Sequence, residues 1–144
     1  MTKEKLELLL EEKEIERVLF SYAAYCDTKN WSFLDKIFTQ DAVTIYGSEE
    51  EGMKCKGLDE IRSFLQKSLE KVISAQHLIG NIEIQIDGKS ATAKSFLAAL
   101  QMNEEDGNIK SSEVWGQYID SLVKENGNWK IKEKKLNIIY GRQQ

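Results

Sequence analysis

The chain has 144 residues, of which 41% are hydrophobic and 31% are charged, and its formal net charge is −4. These values are typical of one globular domain spanning residues 1–144, and the acidic balance argues against nucleic acid or an anionic membrane as a partner. No apolar run approaches the roughly 18 residues of a membrane span, so no membrane contact is expected.

The first predicted element is an amphipathic helix from Lys3 to Asp27. Its apolar positions follow helical spacing, with charged residues on the opposite face. The apolar stripe consists of Leu6, Leu9, Leu10, Ile15, Val18, Leu19 and Tyr22. The partial negative charge at a helix C-terminus disfavours a carboxylate. Asp27 therefore indicates a partner elsewhere in the chain, where the sole histidine is His77.

Two shorter helices and a strand are predicted next. The second helix has a buried stripe of Trp31, Phe33, Leu34, Ile37 and Phe38, and residues 42–46 are typical of a strand. Residues 47–56 contain two glycines and three consecutive glutamates and are interpreted as a solvated loop, whose role as a lid stays open. The third helix is predicted from Gly57 to about Val72.

The apolar spacing then becomes alternating, as in strands, and Gly80 interrupts it as a predicted bulge. Strands are predicted near 80–87, 90–103, 110–124 and 128–140, separated by three dipeptides suited to tight hairpin turns. These dipeptides are Asp87-Gly88, Asp106-Gly107 and Asn126-Gly127. Helices followed by a strongly curved, mainly antiparallel sheet predict an α+β fold with a cone-shaped cavity for a small ligand.

Residues suited to metal binding or redox chemistry are few. Cys26 and Cys55 lack metal-ligand spacing and are too few for a disulfide framework, which predicts free thiols in a reducing cytoplasm. One histidine and two separated cysteines do not form a usual zinc or iron ligand set. No nucleophile turn or phosphate-binding glycine loop is present in the sequence. Neither a metal site nor a cofactor is expected.

Six motifs together resemble the SnoaL-like branch of the nuclear-transport-factor-2-like superfamily, which folds as a cone-shaped α+β barrel. The motifs are YAAYCD at 22–27 followed by Trp31, IFTQDA at 37–42, GLDEI at 57–61, HLIGN at 77–81, GQYID at 116–120 and GNWKI at 127–131. The resemblance covers nearly the whole chain. It implies a homodimer formed through the exposed sheet. It specifies the function less well than the fold, because this fold hosts several enzyme classes and non-catalytic subunits.

The resemblance also implies a set of catalytic residues. An Asp at the end of helix one pairs with a His on a strand in several relatives, which places Asp27 and His77 in these roles. Asp27 would orient one ring nitrogen of His77, and the other nitrogen would remove a proton from carbon beside a carbonyl or a leaving group. Tyr22, or Tyr46 on the first strand, would donate a hydrogen bond to the developing oxyanion. The expected ligand contacts are Tyr46, Trp31, Leu100 and Tyr118.

One segment departs from the dehydratase relatives, which carry an acid or a histidine on the strand equivalent to residues 95–102. This chain has SFLAALQM there, which disfavours hydroxyl elimination and favours a simpler proton transfer or a binding role. The basic residues Lys134, Lys135 and Arg142 are interpreted as a solvated strand face, with a place at the pocket mouth as the alternative.

Two functions from different classes follow. The first is a cofactor-independent lyase or isomerase acting on a small, largely apolar or aromatic carbonyl or hydroxy compound. The alternative is a non-catalytic small-molecule-binding or assembly module of the same fold. Under the alternative, His77 is a strand-terminal histidine without chemistry, Asp27 forms a turn through backbone N–H bonds, and Tyr22 is a core aromatic.

Overall fold

The computed structural model of the chain describes residues 1–48 and 50–144. Its elements, in chain order, are α1 (Lys3–Thr28), a 3₁₀ helix (Trp31–Lys36), β1 (Phe38–Tyr46), β2 (Met53–Lys56), α2 (Leu58–Ser68), β3 (Val72–Asp87), β4 (Ser90–Glu105), β5 (Asn108–Glu125) and β6 (Asn128–Gln143). The helices pack on a curved, open six-stranded sheet, which confirms the predicted α+β class. No helix in the described part of the chain is long and apolar enough to cross a membrane.

The strand order in the sheet is β2-β1-β6-β5-β4-β3. The last four strands form an antiparallel meander, as the turn dipeptides predict. Strand β1 joins this meander by pairing with β6 in parallel, and β2 then pairs with β1 antiparallel. The sheet does not close, so β2 and β3 are its two edges.

Helix α1 begins as its sequence predicts and is buried only in its second half. Thr2 caps it by accepting a hydrogen bond from the backbone N–H of Lys5 at 3.2 Å. Residues 1–10 are exposed, although three of the predicted apolar positions lie among them, and the buried face begins at Ile15. The carboxylate of Glu11 accepts hydrogen bonds from Lys124 Nζ and Trp129 Nε1, each at 2.5 Å. This contact fastens the middle of α1 to the β5–β6 hairpin.

Three predicted boundaries are corrected by the structure. The second helix is a 3₁₀ helix that ends at Lys36, so Phe38 lies in β1, and Phe33 is exposed. The third helix ends at Ser68, and Val72 begins β3. The predicted loop at 47–56, of which residue 49 lies outside the described residues, contains β2. In this strand, MKCK at 53–56, apolar and polar residues alternate. Cys55 is buried there and lies opposite Thr44 of β1.

The hairpin turns and the bulge follow the sequence closely. Asp106-Gly107 and Asn126-Gly127 have positive φ at both residues, as tight two-residue turns require. The first turn is shifted by one residue, because Asp87 pairs with Ser90 and leaves Gly88 and Lys89 as the loop. The pairing of β3 with β4 slips by one residue between Gly80 and Glu83, with Asn81 at φ 49°. This bulge changes which side chains of β3 face inward.

Candidate active site

The end of helix α1 meets the first half of strand β3 at Asp27 and His77. Oδ1 of Asp27 lies 2.5 Å from Nδ1 of His77, and Oδ2 accepts the backbone N–H of His77 at 3.1 Å. The side chains are 23% and 9% exposed, respectively. The carboxylate at the unfavourable helix end is therefore compensated by two hydrogen-bond donors from one residue 50 positions away.

His77 faces inward because of the bulge in β3. Before the bulge, Ala75, His77 and Ile79 are the half-buried positions, and after it Ile82 and its alternate neighbours are half-buried. Within the described residues, Nε2 of His77 has no hydrogen-bond partner. With Nδ1 engaged by the carboxylate, Nε2 is the ring atom left to exchange a proton with a ligand.

A pair of tyrosine hydroxyls forms a second polar feature of the interior. Tyr22 of α1 and Tyr46 at the end of β1 have their hydroxyl oxygens 2.9 Å apart. The Tyr22 ring makes edge contacts with Phe38 and Tyr118, at centroid distances of 5.9 and 5.8 Å. The Tyr46 ring stacks on Phe64 at 4.9 Å. These ring contacts fix both phenols in place.

Burial sets the protonation of these side chains. It raises the pKa of the Tyr22 phenol well above its ordinary value and raises the pKa of Tyr46 as well, so both hydroxyls stay protonated at neutral pH. Burial likewise raises the pKa of the neighbouring Cys26 thiol to about 12. Cys26 is therefore a neutral, unreactive thiol beside the tyrosines.

A buried ion pair lies against the same tyrosines. Lys134 of β6 and Asp120 of β5 are cross-strand partners, and both side chains are 0% exposed. Nζ of Lys134 lies 3.0 Å from Oδ1 and 3.2 Å from Oδ2 of Asp120, and only the approach to Oδ2 has hydrogen-bond geometry. Burial raises the pKa of Asp120, and the Lys134 charge opposes this rise. The interpretation of Lys134 as part of a solvated strand face is wrong.

The remaining expected ligand contacts lie in different places. Tyr118 is buried beside Tyr22. Trp31 begins the 3₁₀ helix and packs partly against the core, with its carbonyl accepting Arg62 Nε at 3.1 Å. Leu100 does not belong with them, because it is 44% exposed on the outer face of β4 while Ala99 beside it is buried. Strand alternation puts Leu100 on the side of the sheet away from α1.

A family comparison identifies the domain. The model of the SnoaL-like domain matches residues 7–135. The chain belongs to the SnoaL-like domain family. An uncharacterised protein of Mycobacterium tuberculosis is 24% identical over 123 residues, which are 82% of this chain and 78% of that protein.

Two solved structures share this fold. A protein of Novosphingobium aromaticivorans that carries the provisional name scytalone dehydratase superposes with a TM-score of 0.83 at 24% identity, over 93% of this chain and 87% of that chain. A hexachlorocyclohexane dehydrochlorinase of Novosphingobium barchaimii superposes with a TM-score of 0.83 at 15% identity, over 97% and 94%. At these identities the similarity establishes the fold.

The inner face of β4 in this SnoaL-like domain is free of ionisable groups. Its inward positions are Ala91, Ala93, Ser95, Leu97 and Ala99. The hydroxyl of Ser95 is buried without a hydrogen-bond partner among the described residues, and Ser95 lies opposite Tyr118 in the sheet. The ionisable side chains of the inner face therefore come from the other elements, namely α1, β1, β3, β5 and β6.

Neither a metal cluster nor a large surface groove coincides with the Asp27–His77 pair. Across residues 1–48 and 50–144, no group of three His, Cys, Asp or Glu side chains is placed to hold a metal ion. A groove of about 480 Å³ lies between α1 and β6, lined by Arg17 and Trp129 among others, and one of about 520 Å³ lies across the turn end of β3, β4 and β5. Asp27 and His77 line neither groove.

Proposed function

We propose that this SnoaL-like protein is a cofactor-independent lyase or isomerase that removes a proton from carbon in a small, largely apolar carbonyl or hydroxy compound. His77 is the base, through Nε2. Asp27 is the positioning residue that fixes the imidazole through Nδ1. Tyr22, paired with Tyr46, donates a hydrogen bond to the oxygen on which negative charge develops.

The observation that carries this proposal is the two-point contact between Asp27 and His77. A carboxylate accepting Nδ1–H selects the tautomer with a bare Nε2 and stabilises the imidazolium that forms when Nε2 takes a proton. The second bond, from the backbone N–H of His77, locks the carboxylate itself in place. A buried histidine with a structural role normally has both ring nitrogens hydrogen-bonded, whereas among the described residues only Nδ1 of His77 has a partner.

The composition of the interior supports an apolar ligand. The core around the tyrosines is built from aliphatic and aromatic side chains of α1, β1 and the meander. Such surroundings strengthen a hydrogen bond to a developing oxyanion, because little solvent screens it. The provisional scytalone dehydratase and the dehydrochlorinase that share this fold carry names of lyases, which agrees with proton removal as the common step.

The direct test compares His77→Gln with Glu83→Gln, a control on the same strand whose side chain is exposed and lies outside the apolar row of the outer face. Purified variants are incubated in deuterated buffer with a panel of cyclic and aromatic ketones, and exchange at carbon beside the carbonyl is followed by NMR. The wild type and Glu83→Gln should exchange at least one panel member, and His77→Gln should lose this by about 100-fold or more. Equal exchange in His77→Gln would refute the assignment of the base.

The second candidate is a non-catalytic binding module, favoured by the absence of an ionisable inward residue on β4. Under this candidate the same panel binds, without exchange, to the wild type. His77→Gln would then leave ligand affinity nearly unchanged. Measuring the affinity of the panel compounds by calorimetry, together with their proton exchange, distinguishes the enzyme from the binding module in one set of samples.

We also propose that two copies associate through the outer face of the sheet. Leu78, Ala98, Trp115 and Tyr140 are successive cross-strand partners and form one apolar row across four strands. Leu78, Trp115 and Tyr140 are all exposed in the single chain. Such a contiguous apolar surface is typical of an interface between copies of a chain.

A further inference from the structure

The inner face of the sheet continues beyond the Asp27–His77 pair as an open surface. Residues 104–110, at the β4–β5 turn, and residues 137–144, at the end of β6, are all exposed. Because neighbouring residues of a strand point to opposite faces, a run of consecutive exposed positions means that both faces are uncovered. The inner face beside His77 is therefore accessible to a ligand from this end of the sheet.

The strand register shows which side chains line this open surface. His77 begins one inward row across the sheet, which continues with Ala99, Val114 and Gly141. The next inward row lies two residues further along each strand, a spacing of roughly 7 Å. Ala75 of that second row and Val114 of the first pack against the core, which identifies this face as the inner one. The second row consists of Ala75, Gln101, Ser112 and Gln143.

The second row is polar but carries no charge. Gln101 and Ser112 are half-buried, and Gln143 is exposed. Among the described residues, these three side chains have no hydrogen-bond partner. A side-chain amide and a hydroxyl can each donate and accept hydrogen bonds. The row therefore presents unused donors and acceptors beside the proposed base.

The polarity of the two faces is partly reversed at this end of the sheet. A sheet with one solvated face usually turns apolar residues inward and polar residues outward. Here the outer face carries exposed apolar side chains beside the Glu113–Arg142 ion pair, namely Leu100, Trp115 and Tyr140. The proposed association of two copies would cover this outer face. The polar inner row would stay open, as a surface that contacts a polar part of a ligand requires.

From this geometry we infer that Gln101 and Ser112 are specificity-determining residues that bind an uncharged hydroxyl or carbonyl group of the substrate. That group would lie roughly 7 Å from the carbon that His77 deprotonates, the spacing of the two rows. A charged group is disfavoured, because the row holds no counter-charge for it. The substrate class is thus a cyclic or aromatic ketone with a second, distal hydroxyl or carbonyl group. The inference rests on the proposed function for the position of the reacting carbon, but binding of the distal group does not require turnover.

The probes are 1-tetralone and 6-hydroxy-1-tetralone, two cyclic ketones that differ by one ring hydroxyl. In the second compound the hydroxyl oxygen lies roughly 7 Å from the carbon beside the carbonyl, which matches the spacing of the rows. Their dissociation constants are measured by NMR titration slightly below neutral pH, where the phenol is uncharged. The wild type should bind the hydroxy compound roughly tenfold more tightly than 1-tetralone. Gln101→Leu should reduce this preference to about twofold or less and leave the affinity for 1-tetralone nearly unchanged.

Three further variants make the result specific. Gln85→Leu makes the same exchange at an exposed position of β3, at the opposite end of the sheet, and should keep the preference. Ser112→Ala should lose part of it. His77→Gln should keep it while losing proton exchange, so failure of the base assignment is distinguishable from failure of this inference. Equal binding of the two ketones by the wild type, binding of neither, or an undiminished preference in Gln101→Leu would overturn the inference.

Discussion

Asp27 contacts His77 twice, once at the ring and once at the backbone, through its two carboxylate oxygens. The backbone contact places the carboxylate relative to strand β3, and the ring contact then places the imidazole relative to the carboxylate. Each group is thus held by the other across 50 residues of sequence. Preorganisation of this kind is what a general base requires, because it avoids rearrangement during proton transfer.

Asp27→Asn tests the orienting role. The amide keeps the shape of the carboxylate but loses its charge, so it stabilises the imidazolium less and can present N–H instead of oxygen to Nδ1. We expect proton-exchange activity to fall by about 100-fold, with the melting temperature nearly unchanged. Asp41→Asn, at an exposed position within β1, is the control. An active Asp27→Asn enzyme would contradict the orienting role.

Tyr22→Phe tests the hydroxyl donor. Loss of a single oxyanion donor in a dry site costs on the order of 100-fold in turnover, whereas loss of one neutral hydrogen bond costs about 1 kcal/mol of stability. The activity should therefore fall much more than the stability. Tyr25→Phe on the same helix is the control, since Tyr25 packs on Phe33 through its ring. A parallel loss of activity and stability would indicate a structural role for Tyr22 instead.

Glu11→Gln tests the contact that fastens α1 to the β5–β6 hairpin. The hydrogen bond from Lys124, together with that from Trp129, lowers the pKa of Glu11 in the folded protein. A lowered carboxyl pKa stabilises the fold above the unfolded-state pKa, and this stabilisation is lost as pH falls through the folded value.

The variant should accordingly melt at a lower temperature than the wild type at neutral pH, with the difference shrinking as the solution becomes acidic. Glu7→Gln, in an exposed pair with Lys3 at 4.0 Å, should change the melting temperature little at any pH. A difference for Glu11→Gln that grows on acidification would have the opposite sign to that expected from the lowered pKa.

Trp115→Glu tests the proposed homodimer. The substitution places a charge in the middle of the apolar row on the outer sheet face, where desolvating it in an interface is unfavourable. We expect sedimentation analysis to show a dimer for the wild type and a monomer for the variant, with the inner-face chemistry retained. Leu6→Glu, an exposed apolar position on α1, should remain dimeric. A monomeric wild type would exclude this interface.

Much of the fold could be predicted because its signals are local. The dipeptides Asp106-Gly107 and Asn126-Gly127 supply the positive φ values of their turns, and the interruption at Gly80 marks a real bulge. The β2 strand was hidden by its surroundings, since glutamates and glycines beside a four-residue MKCK segment are also typical of a loop. Its pairing with β1 is a tertiary contact that such a short pattern does not specify.

The buried position of Lys134 could not be predicted from simple alternation. Trp129 and Ile131 are buried, and strict alternation from them would turn Lys134 outward. The pairing with β5 slips by one residue at Lys132, so Lys134 and Leu136 face inward instead. Asp120, which lies between the apolar inward residues Tyr118 and Leu122, was the available signal, because a buried carboxylate needs a cation nearby.

The prediction that Asp27 and His77 form a pair depended on the family resemblance. Asp27 and His77 lie 50 residues apart, and only the unfavourable helix end hinted that the carboxylate has a partner. Leu100, by contrast, could have been excluded as a ligand contact by sequence reasoning alone. Leu97 and Ala99 face inward, and the next residue along a strand points to the opposite face of the sheet.

The most direct test of His77 as a base positioned by Asp27 is the ring nitrogen spectrum of His77 in ¹⁵N-labelled protein at neutral pH. The chain has one histidine, so the two ring signals need no assignment by mutation. We expect a protonated Nδ1 and a bare Nε2 in the wild type, with this preference weakened in Asp27→Asn. A protonated Nε2 with a bare Nδ1, or a spectrum unaffected by Asp27→Asn, would contradict the claim that Asp27 prepares His77 as a base.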